Sequence, residues 1–337
     1  MIRAPAARAN DDSMAAKRTA PVVCILGGTG FVGRSLTSLL VRRGYRVRIP
    51  TRNRPRSRRL LVLPGVDLRQ ADIHDPSVLD ELLRGCDAAI NLVGILNERG
   101  HDGSGFRTAH VDLVEKLIRG CQENGVTRLI QMSALKANHN RGPSHYLRTK
   151  GQAEQLIETL CGDDIRYTIF QPSVIFGSED SFINRFAGLL RLTPVLPLAR
   201  LEARFAPVYV DDVALAFATA LADSDTCGRT YELCGPDIYS LREIIDFVRR
   251  ELGIRRLIVP LPGVLGRLQA AVADYLIPGK PFSLDNLRSM SVANVCSNNG
   301  LKQLGITAQP MQQIVSGYLR PEPVRLSLLR RTNRRRD

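Results

Sequence analysis

The stretch HYLRTKGQAEQL, from His145 to Leu156, carries Tyr146 and Lys150 four residues apart. On a helix that spacing puts a phenol and an ammonium on one face. An ammonium beside a phenol favours the phenolate and lowers its pKa from about 10. Such a tyrosine exchanges a proton with a carbonyl oxygen while a nicotinamide transfers hydride. Tyr146 is therefore the candidate acid/base, and Lys150 its activator.

A second group binds rather than reacts. GGTGFVG, comprising Gly27, Gly28, Thr29, Gly30, Phe31, Val32 and Gly33, lies between an apolar run and a helical pattern. It satisfies both GxGxxG and GxxGxxG. One glycine permits the turn, one lets backbone approach a pyrophosphate, and one lets helix and strand pack closely. The N-terminus of the following helix presents free N–H groups to the anion. In dinucleotide folds an acid about 20 residues further on holds the ribose hydroxyls. Here the second strand ends IPTRN, with Arg52 close to that place and no acid between Val41 and Leu60. A guanidinium there suits a 2′-phosphate, so NADP(H) is expected over NAD(H).

Two further loops belong to the same crevice. Ala71–Asp72–Ile73 follows the third strand, where Asp72 either meets the adenine edge or caps the next helix. Val93 and Gly94 end the fourth strand, where backbone must lie close to the cofactor.

The elements that must position these residues alternate. VVCILGG, YRVRIPT, GVDLRQADI, DAAINLVGI, VTRLIQMSAL and IRYTIFQPSVIFG read as strands, with amphipathic helices between them. Asp75 is placed to cap the helix PSVLDELLRG. Repeated βα units imply an α/β fold of Rossmann type, a doubly wound parallel sheet with ligands beyond the carboxyl ends of its strands. The expected division is a disordered leader over 1–20, a dinucleotide-binding domain over 21–177, a smaller C-terminal lobe over 178–313 interleaved with the sheet domain, and a basic tail over 314–337. Met14 is an alternative start.

Composition narrows the partners. The 337 residues carry 47 Lys and Arg against 33 Asp and Glu, a net charge of +14. Nine arginines fall between Val41 and Leu60 and six between Arg325 and Arg336, so the excess is clustered. With 5% aromatics and no Trp, no nucleic-acid partner is expected. The surplus arginines and the amphipathic segment LGRLQAAVADYLI suit peripheral contact with a membrane or a membrane complex. No stretch reaches the length of a membrane span. The seven cysteines include no CxxC pair and several sit in apolar runs, so reduced, buried thiols are expected. The five histidines show no ligand spacing, and no metal is expected.

The glycine loop with Tyr146 and Lys150 resembles the extended or atypical branch of the short-chain dehydrogenase/reductase superfamily. QMSAL, QPSVIFGSEDSFINRFA, PVYVDDVA and YELCGPDIYSLREI resemble one group within it, that of the complex I alpha subcomplex subunit 9 and its bacterial relatives. The resemblance covers roughly Val22 to Pro321. It implies NADP(H) binding, a link to quinone or respiratory-complex chemistry, and Pro172 and Val174 near the nicotinamide end. It also implies Ser133 as a holder of the substrate oxygen, and His110 where active members often carry an asparagine. Asp211 and Asp212 are expected to cap the following helix.

Three functions stay open at this point. One is an NADPH-dependent oxidoreductase acting on a hydrophobic carbonyl or quinone-like compound, with sugar-nucleotide epimerisation as a variant. Another is a non-catalytic NADPH-binding accessory or assembly factor of a respiratory or quinone-synthesis complex. The third is a redox sensor. The expected location is the cytoplasm of a bacterium, with a peripheral place on the inner membrane face, or the mitochondrial matrix of a eukaryote.

Overall fold

A computed structural model describes residues 20–98, 100–276 and 283–319. The leader over 1–19 and the tail from 320 lie outside the described residues. In chain order the strands are β1 (Val22–Leu26), β2 (Arg46–Thr51), β3 (Val66–Gln70), β4 (Ala88–Asn91), β5 (Arg128–Met132), β6 (Arg166–Pro172), β7 (Ile175–Phe176), β8 (Val195–Leu198), β9 (Arg204–Phe205), β10 (Val208–Tyr209), β11 (Arg229–Leu233), β12 (Tyr239–Ser240) and β13 (Leu257–Pro260). The helices are α1 (Phe31–Arg42), α2 (Pro76–Leu83), α3 (Ser104–Arg107), α4 (Leu113–Glu123), α5 (His145–Leu160), α6 (Ile183–Leu192), α7 (Val210–Ala222), α8 (Leu241–Glu251), α9 (Gly263–Leu276), α10 (Leu284–Ser289), α11 (Gly300–Gln303) and α12 (Met311–Leu319).

Seven parallel strands form the main sheet in the order β11-β6-β5-β4-β1-β2-β3. The order reverses between β1 and β4, which opens a crevice at their carboxyl ends. Both faces are covered, as the apolar content of the strands requires. Val23 and Ile25 of β1 point to the α1 and α7 side, with Leu36, Leu40, Val213 and Phe217. Cys24 and Leu26 point to the other side, with Leu79, Leu117 and Ile157. Successive residues of a strand face opposite ways, so a run buried at every position needs a helix layer on each side.

The second lobe has its own core, built from Phe176, Phe186, Leu196, Phe205, Ile244 and Val315. Its short ladders pair β7 with β10, β9 with β12 and β8 with β13. The chain crosses between lobes repeatedly: α7 packs on α1, and β11 joins the edge of the main sheet beside β6. Helix α12 runs to Leu319 and buries Val315 and Leu319, so residues 314–319 pack as helix within the second lobe.

Two expectations are corrected. Cys234 and Cys296 are joined by a disulfide, against the reading of all seven thiols as reduced. They lie 62 residues apart in sequence, and only the docking of the 294–299 segment against β11 brings them together. Cys24, Cys86, Cys121 and Cys161 are buried free thiols, as expected, and Cys227 is a half-buried one. Asp211 and Asp212 do not cap α7, whose N-cap is Tyr209. Asp211 instead accepts from Ser35 on α1, and Asp212 from the backbone N–H of Gln309. Asp75 caps α2 as expected, accepting from Ser77.

Peptide mapping without reductant should recover Cys234 and Cys296 in one linked peptide. Cys296→Ser should cost about 2–4 kcal/mol in denaturant unfolding, because a long loop is no longer closed in the unfolded chain. Free thiol at both positions in air-purified protein would refute the pairing.

Candidate active site

The glycine loop joins β1 to α1. Gly27 has a positive φ of 78°, which side chains rarely tolerate. A Cβ on Gly33 would lie 2.4 Å from the Gly27 carbonyl oxygen, so only glycine lets the helix start this close to the turn. Gly30 is the N-cap of α1 and offers no side-chain acceptor, and the first turn holds no acid. The first-turn N–H groups therefore face the crevice with no internal anion in the way, which fits a diphosphate. Gly28 and Val32 are buried behind the turn; Thr29 and Phe31 sit at its rim.

Arg52 follows the last residue of β2 directly and is exposed, with no acid near it in sequence. Asn53 caps the arginine-rich turn Arg54–Val62 by accepting from Arg56 N. The opening run of arginines divides by role. Arg48 is spent internally, on Asp67 and on the Leu82 and Arg84 carbonyls. Arg59 reaches Glu179, which also pairs with Arg34 on α1. Arg54, Arg56 and Arg58 are exposed. Arg34 and Glu179 join α1 to the chain after β7, a link with no local signature in the sequence.

Asp72 is exposed, and its carboxylate accepts from His74 N at 3.0 Å; Ile73 packs against the α2 side. Val93 N donates to Asn91 Oδ1, holding the chain where it leaves β4. Gly94 comes so close to Lys150 that a Cβ would stand 3.2 Å from Nζ.

Helix α5 carries Tyr146 and Lys150. Ser144 caps it by accepting from Leu147 N. Asp285 of α10 adds a second acceptor from the other lobe, taking His145 N at 2.7 Å and Tyr146 N at 3.1 Å. Lys150 is buried, and its Nζ donates to Val93 O (3.2 Å) and Met132 O (3.0 Å). Burial pulls the ammonium down to about 8. The phenol of Tyr146 moves opposite to the expectation from spacing: burial pushes it up to about 12. Desolvation of the phenol is the cause, and the Lys150 ammonium is directed at backbone carbonyls.

His110 lies on a π-helical turn, Thr108–Asp112, a form that often marks function. It is almost wholly buried, and its ring stacks edge-on with Tyr146 at 5.5 Å between centroids. Nε2 accepts from Ile95 N at 3.2 Å, so the proton sits on Nδ1, 2.9 Å from Thr149 Oγ1. Thr149 in turn donates to the His145 carbonyl. Burial first, and the nearby Lys150 charge second, hold the imidazole neutral, with its pKa lowered to about 2.

Ser133 is buried, and its hydroxyl completes no hydrogen bond of good geometry, an uncommon state for a buried polar atom. It lies beside Glu154, whose carboxylate accepts from Gln171 Nε2 at 2.8 Å. Glu154 is roughly two helical turns from Tyr146, so Ser133 sits deeper along α5 than the phenol. Burial raises the Glu154 carboxyl above its ordinary range. Pro172 closes β6, and Val174 N donates to Asn294 Oδ1, which also takes the Ser173 hydroxyl. Asn294, Asp285 and Glu154 escaped sequence reasoning: the first two act across 120 or more residues, and Glu154 differs from any helical acid only by its burial.

A cleft of about 460 Å³ lies in the second lobe, lined in part by Leu198, Arg204, Pro260, Met290 and Ala293, and none of the candidate site residues line it. Among the described residues no group of His, Cys, Asp and Glu could hold a metal, and no helix is long and apolar enough to cross a membrane.

The sheet order and the crevice define a nicotinamide-dinucleotide-binding protein of Rossmann type. More narrowly, the chain belongs to the NAD dependent epimerase/dehydratase family, whose profile matches residues 23–234. It is 31% identical over 297 residues to NADH dehydrogenase [ubiquinone] 1 alpha subcomplex subunit 9 of Arabidopsis thaliana, covering 83% of this chain and 72% of that one. It is 30% identical over 282 residues to a ceramide reductase of Caulobacter vibrioides, covering 80% and 84%. Among solved structures, the UDP-glucose 4-epimerase of Thermus thermophilus in complex with NAD superposes with a TM-score of 0.67 at 18% identity, covering 89% and 99%. That likeness speaks for the fold alone.

The neutral His110 sets a pH signature. Its folded pKa lies below the unfolded value of about 6.5, so below that pH the unfolded chain binds one more proton. Stability should fall by about 1.4 kcal/mol per pH unit of acidification through this group. Asn in its place can still accept from Ile95 and donate to Thr149. Urea unfolding of wild type and His110→Asn from pH 7 to pH 5 should therefore diverge with that slope; parallel curves would mean that the ring protonates in the fold.

Proposed function

We propose that the chain binds NADP(H) and acts as an oxidoreductase on a hydrophobic carbonyl or quinone-like compound. The observation that carries this reading is the placing of Tyr146 and Lys150 one turn apart on α5, with Lys150 bonded to the chain where it leaves β4 and β5. The first-turn amides of α1 would hold the diphosphate and Arg52 the 2′-phosphate, while Val93, Gly94, Pro172 and Val174 would border the nicotinamide end. When bound, the cofactor supplies the hydride. Tyr146 would exchange the proton with the substrate oxygen, and Lys150 would fix the local charge; Ser133, set deeper beside Glu154, is too far along α5 to share that oxygen with the phenol. A carbonyl in a hydrophobic substrate also accords with the relative named a ceramide reductase.

A second reading is a cofactor-holding accessory protein of a respiratory complex. It is favoured by the raised phenol pKa, by Lys150 being engaged with carbonyls, and by the relative named as a subunit of NADH dehydrogenase. A bacterial cytoplasmic or mitochondrial matrix location suits either reading.

Calorimetric titration should give tighter binding of NADPH than NADH. Arg52→Ala should weaken NADPH about ten- to a hundred-fold, the worth of one charge-assisted bond, and leave NADH nearly unchanged. Equal loss for both cofactors, or none, removes Arg52 from the site. NADPH oxidation with long-chain ketones and quinones should be detectable and should fall about 100-fold or more in Tyr146→Phe. Turnover indifferent to that substitution excludes the acid/base role; bound NADPH without turnover selects the accessory reading.

A further inference from the structure

Helix α9 is amphipathic in the wrong sense for a globular protein. Among its described side chains, those facing inward are small or polar: Gly266 packs against Ala199, Ala270 is buried, and Gln269 Nε2 donates to Pro197 O at 2.6 Å. A Cβ on Gly266 would stand 2.3 Å from the Ala199 Cβ, so the close approach depends on that glycine. Among the described side chains the large aliphatics point away. Val264, Leu268 and Val272 fall at i, i+4 and i+8 with Leu265 beside them, exposed by 78, 60, 45 and 51%. A surface helix normally turns such a stripe to the core.

The neighbouring ladder continues the pattern. Val195 and Leu257 are partners across β8 and β13, and both are exposed, as is Leu192 at the end of α6. Arg191, Arg255 and Arg267 are exposed around these residues and form no ion pair among the described residues. An apolar stripe rimmed by unpaired guanidinium groups, on a chain of net charge +14, would repel a second copy of itself and attract a negatively charged apolar medium. Helix α9 has 14 residues, about 21 Å in length. That is too short to span a bilayer and long enough to lie in its interface.

We infer that α9, with the outer edge of the β8–β13 ladder, docks the protein on an anionic phospholipid bilayer. The stripe Val264, Leu265, Leu268 and Val272 enters the acyl boundary, and Arg191, Arg255 and Arg267 meet the headgroups. This surface lies outside the crevice, so the inference does not rest on the reaction proposed above; failure of cofactor titration would leave it intact.

The full chain lacks tryptophan, so Leu268→Trp gives a single reporter. Vesicles of phosphatidylcholine with phosphatidylglycerol should shift its emission to the blue, and phosphatidylcholine alone should not. In flotation with the same vesicles, Leu265→Asp/Leu268→Asp and Arg255→Glu/Arg267→Glu should each bind about tenfold or more weakly than wild type. Both should keep the wild-type circular dichroism; if the aspartate pair fails to fold, the Trp reporter and the arginine pair decide. Three results overturn the inference. One is unmoved Trp emission. Another is flotation equal in wild type and variants, which would assign binding to other basic segments. The third is a wild-type dimer lost in the Leu265/Leu268 variant, which would make the stripe a protein interface.

Discussion

One buried ammonium ties the candidate site to the sheet. Lys150 reaches from α5 to the carbonyls of Val93 and Met132, the points where the chain leaves β4 and β5. These strands are neighbours beside the place where the sheet order reverses. The two bonds fix the helix that carries Tyr146 against the rim of the crevice. They satisfy a cation that would otherwise be costly to bury, and burial draws its pKa to about 8. Gly94 is part of the same arrangement, because a side chain there would crowd Nζ.

Helix α5 is held from both lobes of the molecule. His110 fastens the loop after β4 to Thr149 within α5, and Asp285 of the second lobe completes the cap of the first turn. The Asp285 side chain also sits at the N-terminal end of α5, where an acidic group is favoured by the helix dipole. Asn294 ties the end of β6 to the same C-terminal segment, and the Cys234–Cys296 bond ties that segment to β11. The second lobe thus supplies acceptors to the backbone around candidate site residues that belong to the first.

Much of the fold was legible because its signals are local. β1 is apolar at every position, β3 alternates apolar and polar residues before Gln70, the glycines mark the first turn, and Asp75 announces α2 with Pro76 just inside it. The site was legible where it depends on spacing, as with Tyr146 and Lys150. It was illegible where it depends on contacts between distant segments. The disulfide, the Asp285 cap and the Arg34–Glu179 pair have no periodicity to reveal them. The direction of the Tyr146 shift was misjudged for the same reason: spacing shows which charges are near, whereas desolvation depends on everything packed around the ring.

The seventh strand has a consequence for how such a protein can change. Because β11 is made from chain that has already passed through the second lobe, the outer edge of β6 is sealed only by a segment threaded through both halves. The two lobes therefore do not come apart as exchangeable modules. New specificity has to arise by remodelling loops and ladders in place, under the constraint that every altered connection still returns the chain to the same sheet edge in register.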